Sequence, residues 1–220
     1  MRAFSSSVGQ KLLIGVTGFA LFLYLLIHIA GNLIVFGGPD AFNRYAFVME
    51  YGNPLLPVIE LGLLLIFLLH IYKTVTMYVQ NQAARPVRYR MKRYAGEPSR
   101  KTIASSTMIF SGLWLILFLL IHVKAFRFSP ETPWPAGGRD LYKQEMDVFA
   151  DPLMVAFYVF SMVVIGSHLF HGIASSLQSL GADHPAWTPR ILVAGKAIAV
   201  AIAAAFIVIA IWAHVAGARP

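Results

Sequence analysis

Residues 12–36 read LLIGVTGFALFLYLLIHIAGNLIVF, a run with no charged side chain and one imidazole, His28, towards its far end. A helix needs about 20 apolar residues to cross ~30 Å of hydrocarbon, so the run predicts a membrane span and places a histidine inside it. Comparable runs follow at about 55–79, 103–126, 152–177 and 191–214, and three of them carry His70, His122 and His168. Long, unalternating runs argue for helices, because lipid admits only spans that satisfy their own backbone and barrel strands are short and alternating. The expectation is an all-α, five-helix transmembrane bundle forming one domain over residues 1–220, with the termini on opposite sides.

Composition agrees. Hydrophobic residues make up 58% of the 220 and charged residues 13%, against roughly half and a quarter in a soluble domain. The chain has no cysteine, which excludes a disulfide, a thiolate-held iron–sulfur cluster and a covalently attached haem in this subunit. No cleavable signal is expected, since the first run is too long for a signal core and no small-residue cleavage site follows it.

The formal charge of +8 suggests nucleic acid until its location is read. QNQAARPVRYRMKRYAGEPSRK, residues 80–101, holds Arg85, Arg88, Arg90, Lys92, Arg93, Arg100 and Lys101 against Glu97 alone. The positive-inside rule makes this loop cytoplasmic, a site for anionic lipid or for a soluble partner, and no nucleic-acid partner is expected. The loop between the third and fourth runs sets Arg127, Arg139 and Lys143 against Glu131, Asp140, Glu145, Asp147 and Asp151, and the loop after the first run carries Arg44 as its one base; both are expected outside. The N-terminus and the 181–190 turn (GADHPAWTPR) are then cytoplasmic and the C-terminus external. PWPAGG, residues 133–138, predicts an irregular loop.

An intramembrane ionisable residue is a functional-site hypothesis by default, and direction sorts the four. At 1.5 Å per residue His28 lies roughly 25 Å along an outward-running helix, and His122, about nineteen residues into another, reaches similar depth. His70 and His168, each about fifteen residues into inward-running helices, lie on the cytoplasmic half. Two pairs at two depths, separated by something like 10–15 Å, suit two haems of b type, each held between imidazoles from two helices with no site open to oxygen. Zinc would want clustered His, Cys or carboxylates. His171, one turn beyond His168, is an alternative fourth ligand or a contact for a haem propionate. His184 reads as a solvated loop residue and His214 as an interfacial one. Glu60 is the one acid well inside an apolar run, ten residues before His70, and needs a purpose or a partner.

Thr17-Gly18 stands before His28 with nine residues between glycine and histidine, and Ser111-Gly112 stands before His122 at the same interval. Small residues leave room for a bulky ring. With Ala41-Phe42-Asn43 after the first run, and with His168 preceding Gly172 by four and Gly181 by thirteen, the chain resembles, over nearly its whole length, the di-haem cytochrome b membrane anchors of complex II, the succinate dehydrogenases and fumarate reductases. The resemblance implies a bacterial cytoplasmic-membrane subunit with His28, His70, His122 and His168 as haem ligands. A flavoprotein with covalent FAD and an iron–sulfur subunit would be its partners. The inner pair, His70 with His168, would exchange electrons with the iron–sulfur subunit, and the outer pair, His28 with His122, with quinone (menaquinone or ubiquinone). Quinone chemistry moves protons, and Glu60 is the candidate catalytic carboxylate, with Glu50 behind it. Rival readings are the cytochrome b subunit of another quinone-linked dehydrogenase and a haem-free transporter.

Overall fold

The computed structural model describes residues 6–84, 102–182 and 184–217. Within them five helices are long and apolar enough to cross a membrane: α1 (Ser7–Asn32), α3 (Leu56–Ala83), α5 (Met108–Arg127), α7 (Pro152–Ser179) and α8 (Thr188–Gly217). Three shorter helices, α2 (Pro39–Glu50), α4 (Ile103–Ser106) and α6 (Leu141–Ala150), complete the described elements. No strand forms among the described residues, only an isolated bridge between Pro133 and Arg139. The basic stretch from Arg85 to Lys101, with its single acid Glu97, lies outside the described residues.

Local chemistry explains where the helices start and stop. The Ser6 hydroxyl accepts from the Gly9 amide and starts α1 at Ser7, earlier than the apolar run alone predicts. Helix α1 ends at Asn32, four residues short of the predicted limit, where the chain tightens into a 3-10 turn over Leu33–Gly37. Gly38, at φ +88°, makes the reversal that Pro39 follows as the first residue of α2. The third run, expected unbroken from 103, is interrupted at Thr107 between α4 and α5. There Ser105 and Ser106 hydroxyls donate to the Thr102 carbonyl and Thr107 to that of Ile103, side-chain bonds that compete with a continuous helix.

The two connections expected to be loops contain α2 and α6, which lie over one end of the bundle, here called the capped end. Phe42, Asn43 and Ala46 of α2 and Glu145 and Phe149 of α6 are buried. Asn43, fully buried, joins them: its Nδ2 donates to Asp140 Oδ1 at 2.8 Å and its Oδ1 accepts from the Tyr142 amide at 2.8 Å. Asp140 also caps α6 through the Lys143 amide. Residues 133–138 are irregular, with Gly137 and Gly138 at φ +108° and +76°.

The core lies along α7 and α8, which pair through small residues. A Cβ built on Gly166 would come within 3.0 Å of the Ala203 Cβ, and one on Gly195 within 3.1 Å of Ile173. Close backbone approach of this kind is how helices associate where lipid is as apolar as the side chains. Ala199, Ile202, Ala203, Ile209, Ala210 and Ala213 make α8 the most buried span. Helix α1 leans on α7, α5 rests against α7, and α3 packs along α1 while meeting α5 at few points and burying no residue of its own. Gln10, near the start of α1, bonds to Gln80 near the end of α3. Gly217, at the end of α8, lies against Met146 of α6. The chain therefore enters at the far end and leaves at the capped end.

Candidate functional site: two levels of paired histidines

At the capped end the rings of His28 on α1 and His122 on α5 face each other, centroids 5.9 Å apart and planes at 89°. Aromatic rings enclose them. Tyr24 stacks on His28 from the preceding turn at 5.5 Å, and Phe206 of α8 approaches at 5.7 Å. Phe118 and Phe126, one turn either side of His122, lie at 5.5 and 5.2 Å. The Tyr158 hydroxyl of α7 stands 3.3 Å from His122 Nδ1. Asn32 Nδ2 donates to the His28 carbonyl at 2.8 Å and lies 3.5 Å from its Nδ1.

Deeper in the bundle His70 of α3 and His168 of α7 have hydroxyl partners. Thr17 Oγ1 is 3.0 Å from His70 Nδ1, and Ser111 Oγ is 2.9 Å from His168 Nδ1. Gly18 makes room for the His70 ring, since a Cβ there would sit 3.1 Å from His70 Cε1, whereas one on Gly112 would lie at an ordinary 3.9 Å from His168 Cε1. The two Thr/Ser-Gly pairs thus attend not the histidine that follows on the same helix but one from a neighbouring helix. Helices α1 and α5 serve both levels, and along α1 the eleven residues from Thr17 to His28 rise about 16 Å. Between the levels Trp114 Nε1 donates to Ser161 Oγ at 3.0 Å, tying α5 to α7 at a residue with no exposure.

The remaining sequence candidates fall elsewhere. His171 is half-buried and its ring makes no hydrogen bond among the described residues, although it and His70 are the ionisable groups facing His168. His184 accepts from the Ala186 amide in the exposed turn before α8. His214, expected at the outer interface, donates its Nδ1–H to the Phe149 carbonyl at 2.7 Å, fastening α8 to α6. Glu60 also has a partner, since Arg127 Nε lies 3.2 Å from Glu60 Oε1 and Arg127 Nη1 3.3 Å from Glu50 Oε1. Arg139 Nε, 2.9 Å from Glu50 Oε2 but off the hydrogen-bond direction, extends this ion cluster, and its Nη1 donates to the Phe126 carbonyl at 2.8 Å.

Two polar groups near the capped-end pair escaped the sequence reading. Tyr158 looks like any apolar-run aromatic until its hydroxyl is placed. Glu145, counted with the external acids, is only 3% exposed and has no ion pair among the described residues; burial pushes its carboxyl up to about 8. Among the described residues no three His, Cys, Asp or Glu side chains gather as a metal cluster; each level offers imidazoles in twos. No protein-family model, curated protein or solved structure matches this chain.

Proposed function

We propose that this chain is the di-haem cytochrome b membrane anchor of a succinate:quinone oxidoreductase of the succinate dehydrogenase and fumarate reductase family. The observation that carries the reading is the arrangement of four histidines from four spanning helices as two sets, His28 against His122 and His70 beside His168, served by the same two helices α1 and α5. The residues fit haem on three counts. A haem iron would take two ligands from the protein, and each level has two imidazoles that would hold it, His28 with His122 and His70 with His168. The His28 and His122 rings come from two different spanning helices and lie with centroids 5.9 Å apart, near enough that both would hold one group between them. At the deeper level the rings are held at Nδ1 by hydroxyls, which leaves Nε2 as donor atom, and the missing side chain of Gly18 leaves space beside His70. Of the two candidates on α7, His168 has this support and His171 does not.

When bound, haem supplies a one-electron carrier at each level, and the protein's own side chains do the rest. His70 and His168 would hold the group on the cytoplasmic half, where the iron–sulfur subunit of the complex would meet the membrane through the basic 80–101 loop. His28 and His122 would hold the other near the external face, among the rings of Tyr24, Phe118, Phe126 and Phe206. Succinate or fumarate chemistry belongs to the flavoprotein partner with its FAD. Glu60, beside the outer level and paired with Arg127, is the carboxylate we assign to proton exchange with quinone. In this orientation the capped end faces outside, the N-terminus is cytoplasmic and the membrane is the bacterial inner membrane.

The test is the pyridine haemochrome content of the purified membrane complex, with reduced-minus-oxidised spectra. Two b-type haems per chain, together with a co-purifying flavoprotein, are expected. A colourless protein overturns the reading. Glu60→Gln should slow quinone-linked turnover while leaving both haem spectra intact; unchanged turnover removes Glu60 from the mechanism.

A further inference from the structure

We propose that Thr17 and Ser111 are positioning residues that lock the His70 and His168 imidazoles in the Nδ1–H form and thereby strengthen both as iron ligands at the inner level. The proposal rests on the di-haem reading above.

A hydroxyl owns one hydrogen. The Thr17 hydroxyl donates it to the Leu13 carbonyl of its own helix at 2.7 Å, and the Ser111 hydroxyl to the Met108 carbonyl at 3.0 Å. Towards the rings, at 3.0 and 2.9 Å, each oxygen can then only accept, so the imidazole Nδ1 must carry the proton and donate. That fixes the tautomer whose Nε2 lone pair is free for a metal, since the bond made by one ring nitrogen decides the state of the other. It also orients the ring, because the hydroxyl is anchored to a helix carbonyl and cannot rotate away. A bond accepted from Nδ1–H makes Nε2 the stronger donor, as outer partners of metal-bound histidines generally do.

The outer level lacks such an anchor. His122 Nδ1 meets a tyrosine hydroxyl at 3.3 Å and His28 Nδ1 only an asparagine nitrogen at 3.5 Å. Equal ligand sets on the two levels are therefore unequal in donor strength. Hydrogen bonding around the axial ligands is one lever by which a protein sets haem potential, and stronger donation favours the oxidised metal.

The experiment is a redox titration of both haems, with low-temperature electron paramagnetic resonance of the ferric forms, on the intact complex. It compares wild type with Thr17→Val, Ser111→Ala and the hydroxyl-keeping Thr17→Ser and Ser111→Thr. Thr17→Val and Ser111→Ala should each shift the midpoint of the inner haem to more positive potential and alter its ferric signal, leaving the outer haem unmoved; Thr17→Ser and Ser111→Thr should restore both. If a hydroxyl-free variant loses the inner haem altogether, its recovery in the hydroxyl-keeping one supports the proposal and its continued loss overturns it. Unchanged potential and signal in Thr17→Val and Ser111→Ala, with both haems present, overturn it while the di-haem reading stands. A wild-type complex with no haem overturns both.

Discussion

His168 and His171 lie three positions apart on α7, yet only His168 meets a hydroxyl from α5. His168→Gln is expected to remove one of two haems from the complex and His171→Gln to keep both, read as haemochrome per polypeptide; the reverse pattern would reassign the ligand. The glycines make a second contrast. A methyl on Gly18 intrudes to 3.1 Å of His70 Cε1 while one on Gly112 stays at 3.9 Å from His168 Cε1, so Gly18→Ala should broaden or lose the inner-haem signal and Gly112→Ala should be tolerated. The histidines were legible from sequence because an imidazole in hydrocarbon stands out against its surroundings. Thr17 and Ser111 stood out beside their glycines, but which histidine they touch did not, since it depends on how neighbouring helices are rotated. Direction and spacing could pair depths, but not partners.

Helix α6 carries the pH dependence that lies outside the spans. Glu145 keeps its proton in the folded protein up to about 8, whereas its ordinary value is 4.5. Between those values the folded state binds more protons than the unfolded one, so stability falls as pH rises, by at most about 1.4 kcal/mol per pH unit. Glu145→Gln should flatten this fall, measured as α6 amide-exchange protection from pH 5 to 8; an equal slope in both proteins would place the titration elsewhere. Asn43 binds α2 to α6, and Asn43→Ala, which strands the Tyr142 amide and leaves Asp140 Oδ1 with the Lys143 amide alone, should cost about 1–3 kcal/mol, seen as a lower melting temperature in detergent. Length and apolarity made the five spans readable. The amphipathic α2 and α6, too short and too polar to stand out from loops, and the break at Thr107, set by a cluster of hydroxyls, were beyond that signal.

At the scale of the molecule the helices are unequally held. Helices α7 and α8 are joined by small residues along their length, while α3 buries no residue and relies on α1. On the di-haem reading α3 depends on the cofactors it ligates through His70, and extracting haem should expose α3 to protease before α7 or α8; uniform cleavage would show that helix contacts alone suffice. The double duty of α1 and α5 sets a stricter condition. Because Thr17 and His28 ride on one rigid rod, as do Ser111 and His122, the interval between them works as a ruler. Adding or deleting a single residue within it turns everything beyond by about 100° and moves it by about 1.5 Å, swinging a ligand out of one level while the hydroxyl stays in register with the other. These two stretches should therefore accept many substitutions in composition and almost no change in length.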